Sequence, residues 1–406
     1  MAYVCSDPDQ PLCGPRGSSV RMSRFLRALV DHGLDVTVFA ARAPETGGAG
    51  LPCPVVDISA DGSLQELRAR TAKYLRACGY PPARAEELYG VLLNQALMEG
   101  LENHAGGCDL VYERYAPGSY AGLLFARRSG LPYFVELDRP LPPGQRKRGR
   151  LDPLESAGVL GGTALFAADA VTVASPALFD CAMAYGVPRY RIKLLPYAVS
   201  DAVLGTPKRP ARAEGDEFVL GYLGELAQEK GLNLLLRAFA LLRERSSHYR
   251  LLMVGDGPMR ETAEASCRAR GLGEVVTFTG RIDHDQVPAQ LLRMDVGLSL
   301  CPPLSCSDEV PAKVWEYAAA RVPIVASAGG SSELRDVFPH KKAALLHLPG
   351  RFLKIVKHVD RLRRDPEFAC RLTRHSRLTA KTQTWGRVAA RVEGLYQKCL
   401  SSKSYG

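Results

Sequence analysis

Short apolar runs alternate with amphipathic stretches along most of the chain, and their order predicts a doubly wound α/β protein. Residues 2–5 are a strand-like apolar run, followed by a Gly/Pro loop at Gly14, Pro15, Arg16 and Gly17. A helical pattern over 20–30 then places Phe25, Leu26 and Leu29 on one side. Gly33 ends that helix, and the β-branched, apolar residues 36–40 read as the next strand. Further strands are expected at 110–112, 133–137, 170–173 and 194–197, with helices at 118–128 and closing at 164–168. Continuously apolar strands separated by helices point to a parallel sheet covered on both faces.

A change in composition at 203–217, rich in Pro, Gly and charge, reads as an inter-domain linker. The alternation then restarts. Strands are expected at 218–223, 249–254, 275–279, 296–300 and 324–326, and helices at 231–243, 260–270, 287–292 and 313–320. Leu234, Leu235, Ala238 and Leu242 recur at helical spacing, and the run 385–400 carries Val388, Val392 and Leu395 on one face. The expectation is two Rossmann-like domains, 1–200 and 201–380, facing a cleft, with 381–406 as a closing helix.

A chain of 406 residues, 46% hydrophobic and 24% charged, is long enough for two such domains and ordinary for a soluble protein. No basic leader with an apolar run begins it and no apolar stretch reaches the roughly 20 residues of a bilayer span, so a cytoplasmic protein with no integral membrane segment is expected. The eleven cysteines show neither CxxC pairs nor metal spacing and read as reduced thiols. A net charge of +10 admits nucleic acid, acidic membrane or an anionic small substrate. The basic residues are dispersed apart from 146–150, Lys341–Lys342 and 361–364, and no nucleic-acid module accompanies them, so nucleic acid is not an expected partner.

The most informative stretch is 308–330, DEVPAKVWEYAAARVPIVASAGG. Asp308 is followed, after seven residues, by Glu316 opening an Ala-rich helical run, then by a strand and Gly329-Gly330. A carboxylate near a helix start can accept the two vicinal hydroxyls of a ribose, and paired glycines let backbone amides approach an oxygen-rich group. Upstream, GYLGELAQEKG puts Gly224 after a strand and Lys230 before a helix, and VGDGP ends a strand with Gly255 and Gly257 around an Asp. Each motif is weak alone; the ordered series is specific.

In this order the segments resemble retaining family-four glycosyltransferases of the GT-B fold (glycosyltransferase group 1), most closely over 221–330. The resemblance implies that Lys230 and the Gly224 loop hold a sugar diphosphate, that Gly255 and Gly257 let the backbone near the nucleotide, and that Arg281 and Ile282 meet the base. It makes Glu316 the ribose-binding carboxylate. Asp308 stands at the first acid of E-x7-E, with Glu309 as its substitute, and the amide of Val310 falls where donor-sugar hydroxyls are received. Pro311, Lys313, Glu316 and Tyr317 fit a related P-x-K-x-x-E-Y pattern, and Glu333 follows the Gly pair. Departures are Glu225 where the family has Arg, and Arg321 where it has Gly. In the resembled fold a last helix crosses back to the first domain.

In the first half the resemblance is looser. It sets Gly14, Arg16 and Gly17 against the donor phosphates, with Arg21 nearby, and Glu136 and Asp138 toward the acceptor, with Glu113 and Arg114 as further candidates. It implies a sugar transfer with retention from a UDP- or GDP-linked donor to a small soluble acceptor, by a monomer or homodimer needing no cofactor or metal. The triplets Asp7-Pro8-Asp9 and Asp283-His284-Asp285 are therefore not expected to hold Mg or Mn. Three alternatives stay open: a sugar-nucleotide epimerase, a catalytically silent nucleotide-sugar binder, and a scaffold of the same fold. Nucleotide calorimetry separates the scaffold from the others, and donor turnover separates the enzyme from the silent binder.

Overall fold

A computed structural model of the chain describes residues 1–7, 12, 17–41, 50–58, 62–116, 118–138, 161–210, 213, 215–303 and 309–403. Two Rossmann-like units are present, each around its own parallel sheet. The first comprises Met1–Gly14, Ser18–Pro196 and Gly386–Gly406; the second comprises Pro15–Gly17 and Tyr197–Trp385.

The first sheet has seven strands: β1 Ala2–Cys5, β2 Thr37–Ala40, β3 Val55–Asp57, β4 Val111–Arg114, β5 Tyr133–Leu137, β6 Ala170–Val173 and β7 Ile192–Leu194. Their order is β3-β2-β1-β4-β5-β6-β7, so the chain reverses its direction of travel between β1 and β4. β1, β4, β5 and β6 are buried on both faces, which is why their apolar residues do not alternate with exposed polar ones; the charged residues Glu113, Arg114 and Glu136 in β4 and β5 are buried as well. The expected strand at 194–197 begins and ends earlier, because a short turn Arg189–Arg191 delivers the chain to β7. Two helices, Ser63–Ala77 and Pro82–His104, give no clear sequence signal; no residue of the first is buried. The final helix Trp385–Lys403 packs Val388 and Val392 into this unit, and Glu393 pairs with His32 at 2.9 Å.

The second sheet has six strands: β8 Phe218–Leu223, β9 Tyr249–Val254, β10 Val276–Gly280, β11 Val296–Ser299, β12 Ile324–Ser327 and β13 Leu345–His347. The order β10-β9-β8-β11-β12-β13 puts the reversal between β8 and β11. The stretch 203–217, expected as a linker, is in part tied into this unit. Val203 and Thr206 are buried, the Thr206 carbonyl accepts from Arg321 at 3.0 Å, and the Leu204 carbonyl accepts from Arg377 at 2.6 Å. Missed at the sequence level are β13 and the helices Phe352–Arg364 and Pro366–Lys381, which close the core over Ile355, Val356, Val359 and Leu372.

Three histidines meet at the β13 edge. The His347 and His358 rings lie 5.9 Å apart, and those of His340 and His358 5.8 Å apart. Burial is the main cause that pushes His347 and His358 each down to about 4. The native state therefore resists protons that the unfolded chain accepts near pH 6.5, so stability is full above that value and falls as pH drops toward 4. Both tryptophans, Trp315 and Trp385, belong to this unit, so their fluorescence reports its unfolding. In urea titrations the loss should approach about 1.4 kcal/mol per pH unit for each histidine. The double variant His347→Asn, His358→Gln should lose most of that slope; an unchanged slope would contradict the assignment.

Candidate functional site

In an open parallel sheet the loops leaving neighbouring strands diverge at the reversal, and the crevice opens at the carboxyl ends of the strands. In the second unit those ends are Leu223 of β8 and Ser299 of β11. The β8–β11 pairing runs through Tyr222 and Leu298. Just beyond it, the Tyr317 hydroxyl accepts from the Leu223 amide at 2.9 Å and donates to the Leu298 carbonyl at 3.3 Å. Its ring lies where a side chain on Gly297 would stand, with a Cβ there only 2.4 Å away. One tyrosine thus closes the split ladder and clamps its own helix, Ala312–Ala319, to the sheet.

That helix starts after Pro311, which caps it with extended backbone and needs no partner for a missing N–H. Glu316 therefore sits one turn inside the helix rather than at its start, a correction of the sequence expectation. It is 5% exposed, and Tyr197 donates to its Oε1 at 3.1 Å. Tyr197 packs edge-on against Trp385, with ring centroids 5.4 Å apart. Lys313 precedes Glu316 by three residues, and its ammonium lies 3.8 Å from the centre of the Tyr222 ring.

The loops after β8, β9 and β10 are woven together by backbone bonds. Gly224 donates to the Val254 carbonyl, Leu226 to that of Asp256, Met259 to that of Leu226, and Gly255 to that of Gly280. This weave explains the glycines of VGDGP. Gly255 has φ 133°, and a Cβ on it would stand 2.1 Å from the Gly224 oxygen; on Gly257 it would meet the Leu226 backbone at 2.6–2.7 Å. Lys230 ends a short turn, Gln228–Lys230, beside the crevice; its side chain is 44% exposed and only loosely paired with Glu229, at 3.8 Å.

Other sequence candidates fall as follows. Asp308, Gly14 and Arg16 lie outside the described residues, and Gly17 opens the first helix, Gly17–Asp31. Glu309 is half-buried. The Val310 amide lies at the Glu333 carboxylate and favours its charge, so it is not free for a sugar hydroxyl as expected. Burial, the larger effect, nevertheless raises Glu333, with Glu309 adding to it. Arg281 is exposed and Ile282 half-buried. Asp283 caps the turn His284–Gln286 in a capping box, and among the described residues no His, Cys, Asp and Glu cluster is arranged to hold a metal ion. Arg321 takes the left-handed φ of 60° that a glycine would adopt at the helix exit.

In the first unit the acidic candidates are bound to neighbours rather than presented. Glu136 accepts from Tyr3 at 2.8 Å and from Arg21 at 3.2 Å; Arg21 also donates to the Leu195 carbonyl at 3.0 Å. Asp138 is held by two guanidinium nitrogens of Arg114, with the Nε contact at 2.8 Å. Glu113 accepts from Ser6 at 2.8 Å, from Tyr133 at 2.5 Å and from Ser119, yet burial still raises its pKa. The expectation that Glu136 and Asp138 face an acceptor, and that Arg21 is available to an anion, gives way to this internal network.

Sequence profiles agree with the two-unit geometry. That described as glycosyl transferases group 1 matches residues 206–379, and that described as a glycosyl transferase 4-like domain matches 16–198. The chain is 28% identical over 361 residues to 2-deoxystreptamine N-acetyl-D-glucosaminyltransferase of Streptomyces fradiae, covering 81% of this chain and 78% of that one. It is 32% identical over 148 residues to 2-deoxystreptamine glucosyltransferase of Streptomyces kanamyceticus, a match spanning 36% of this chain and only 37% of the relative. Among solved structures, HepE of Anabaena in complex with UDP superposes with a TM-score of 0.68 at 14% identity, covering 99% of both chains. Sucrose-phosphate synthase of Thermosynechococcus elongatus gives 0.65 at 18%, also over 99% of both. The fold is GT-B, and the chain belongs to the group 1 glycosyltransferases.

The woven loops give a test of the site's construction. Gly255→Ala should destabilise the second unit by at least about 2 kcal/mol, since a left-handed φ and a backbone collision act together. Gly329→Ala, at an open position, should cost well under half of that. Equal midpoints in tryptophan-monitored urea unfolding would refute the close-approach role of Gly255.

Proposed function

We propose that the protein is a retaining glycosyltransferase that moves a sugar from a UDP- or GDP-linked donor to a small soluble acceptor, with no metal required. The single observation that carries this is the crevice at the β8–β11 reversal. There a buried carboxylate, Glu316, and a loosely paired lysine, Lys230, stand beside a glycine-walled loop. In this reading Glu316 accepts the two ribose hydroxyls, with Tyr197 holding the carboxylate in place. Lys230 meets the diphosphate, and Gly224 lets the loop approach it. Arg281 and Ile282 border the base, while Glu309, and Asp308 before it, are the candidates for the sugar itself.

The chemistry asked of the protein is modest. The bond from the anomeric carbon to the leaving phosphate breaks as the acceptor oxygen adds on the same face, and the departing phosphate takes the acceptor's proton. A cation at the diphosphate lowers the barrier by stabilising charge that grows on the leaving group. No protein base is needed, which suits a crevice whose described residues offer Glu316 and lysines. The relatives' names favour an aminocyclitol such as 2-deoxystreptamine as the first acceptor to try. The left-handed conformation at Arg321 preserves the helix exit at a cost of about 1 kcal/mol, which speaks for a maintained site.

A second reading, a silent nucleotide-sugar binder, is favoured by one feature. Glu225, directly after Gly224, puts an anion in the loop read as the diphosphate loop. Incubation with UDP- and GDP-sugars plus 2-deoxystreptamine, followed by mass spectrometry and NMR of the anomeric linkage, decides between them. The expected product is an α-linked glycoside from an α-linked donor; a β-linked product would overturn retention, and donor binding without any turnover would favour the silent binder. Folded Glu316→Ala should bind the donor nucleotide about tenfold more weakly, the scale of a lost charged hydrogen bond. Unchanged affinity by calorimetry would remove Glu316 from the ribose role.

A further inference from the structure

Lys313 is left without a task by the donor reading above. It lies in the first turn of the helix Ala312–Ala319, and its ammonium sits over the Tyr222 ring at 3.8 Å. The absent side chain of Gly224 makes room for it: a Cβ there would come within 3.2 Å of the Lys313 Nζ. No carboxylate pairs with it among the described residues. The charged groups facing it are Lys230, from the loop after β8, and Glu316, one turn along its own helix. Glu225 and Glu229 act on the Tyr222 hydroxyl.

We propose that Lys313 binds the diphosphate of the donor together with Lys230. The proposal rests on the nucleotide-sugar reading of the crevice and deepens it. Lys230, paired only loosely with Glu229 at 3.8 Å, and Lys313, held over an aromatic ring, each act on the other's charge and together offer two cations to an anion with two phosphates. The aromatic ring stabilises the ammonium at close range, and ring and anion can be engaged together from opposite sides.

A consequence follows for protons. Burial first, and the charge of Lys230 second, push the Lys313 ammonium down to about 7, with Glu316 opposing. Near neutral pH a large fraction of the free protein then carries a neutral amine at this position. A bound diphosphate favours the ammonium, so binding takes up a proton. The affinity is full below about pH 6.5, where the amine is already charged, and falls as pH rises above about 7, approaching tenfold per unit.

The test is calorimetric titration of the whole chain with UDP-glucose and GDP-mannose, whose diphosphates do not titrate in this range, from about pH 6 to about pH 9. For whichever is bound, the wild type should lose affinity above about pH 7, and its heat at about pH 8 should differ between phosphate and Tris buffers by the proton taken up. Lys313→Met should bind about tenfold more weakly at pH 6, with a flat profile and no buffer dependence. Lys313→Arg, charged throughout, should restore affinity and keep it at high pH. If the Met variant does not fold, the buffer dependence of the wild type alone decides. Binding that depends on Glu316 but shows neither pH nor buffer dependence overturns the role of Lys313 and leaves the donor site standing. If neither nucleotide sugar binds at any pH, the donor reading fails and this assignment with it.

Discussion

The site depends on how the second sheet is closed where its strands part. At a reversal of strand order, two parallel neighbours send their chains to opposite faces, and the backbone groups just past the last pair lose their ladder partners. Buried groups of that kind are costly to leave unmade. Here one hydroxyl, that of Tyr317, serves both: it accepts from Leu223 and donates to Leu298. The same residue sits on the helix that carries Lys313 and Glu316. Satisfying the sheet therefore fixes the register of the helix, and with it the depth at which the lysine and the carboxylate enter the crevice. The bare Gly297 beneath the ring makes this approach possible.

The two units treat charge at their reversals in opposite ways. In the first, Glu136 is held by Tyr3 and Arg21, Asp138 by Arg114, and Glu113 by three hydroxyls. Buried acids held by neighbours in this way contribute order and little reactivity. In the second, Lys230 has one loose partner and Lys313 an aromatic face. The first arrangement is that of a structural network; in the second the lysines stay weakly paired, as the proposed anion site requires. The contrast comes from geometry alone, since both units offer acidic and basic residues at equivalent strand ends.

Much of the fold was legible because its signals are local. Nearly every strand announced itself as a short apolar run, and Gly255 and Gly257 marked the turn where backbones cross. Helices such as Ser63–Ala77, which bury no residue, lack the one-sided apolar stripe that makes a helix readable. Short β3 and β13, three residues each, fall below the length at which pattern separates from noise. In the site, Lys230, Lys313 and Glu316 could be picked out by the resemblance of their segments to the family's motifs. Tyr197 could not: it reaches Glu316 across 119 positions of sequence, and nothing around it in the chain signals that contact. The burial of Glu136 and Asp138 was equally hidden, because their partners Tyr3, Arg21 and Arg114 come from separate strands and a helix.

The lysine pair makes sense only as part of a function. Two like charges near one another, one of them desolvated, lower the stability of the empty protein, and a hydrophobic residue at position 313 would pack against Tyr222 without that penalty. On the proposed reading, the free energy withheld from folding reappears when an anion binds, because the diphosphate meets donors already oriented by the sheet and the helix. A site that works in this way would hold the leaving group more tightly as its negative charge increases, so the attraction would grow in the direction of the transition state. That is the property a transferase needs from its donor unit, and on the proposed reading it accounts for a glycine-walled loop combined with lysines that the fold itself does not require.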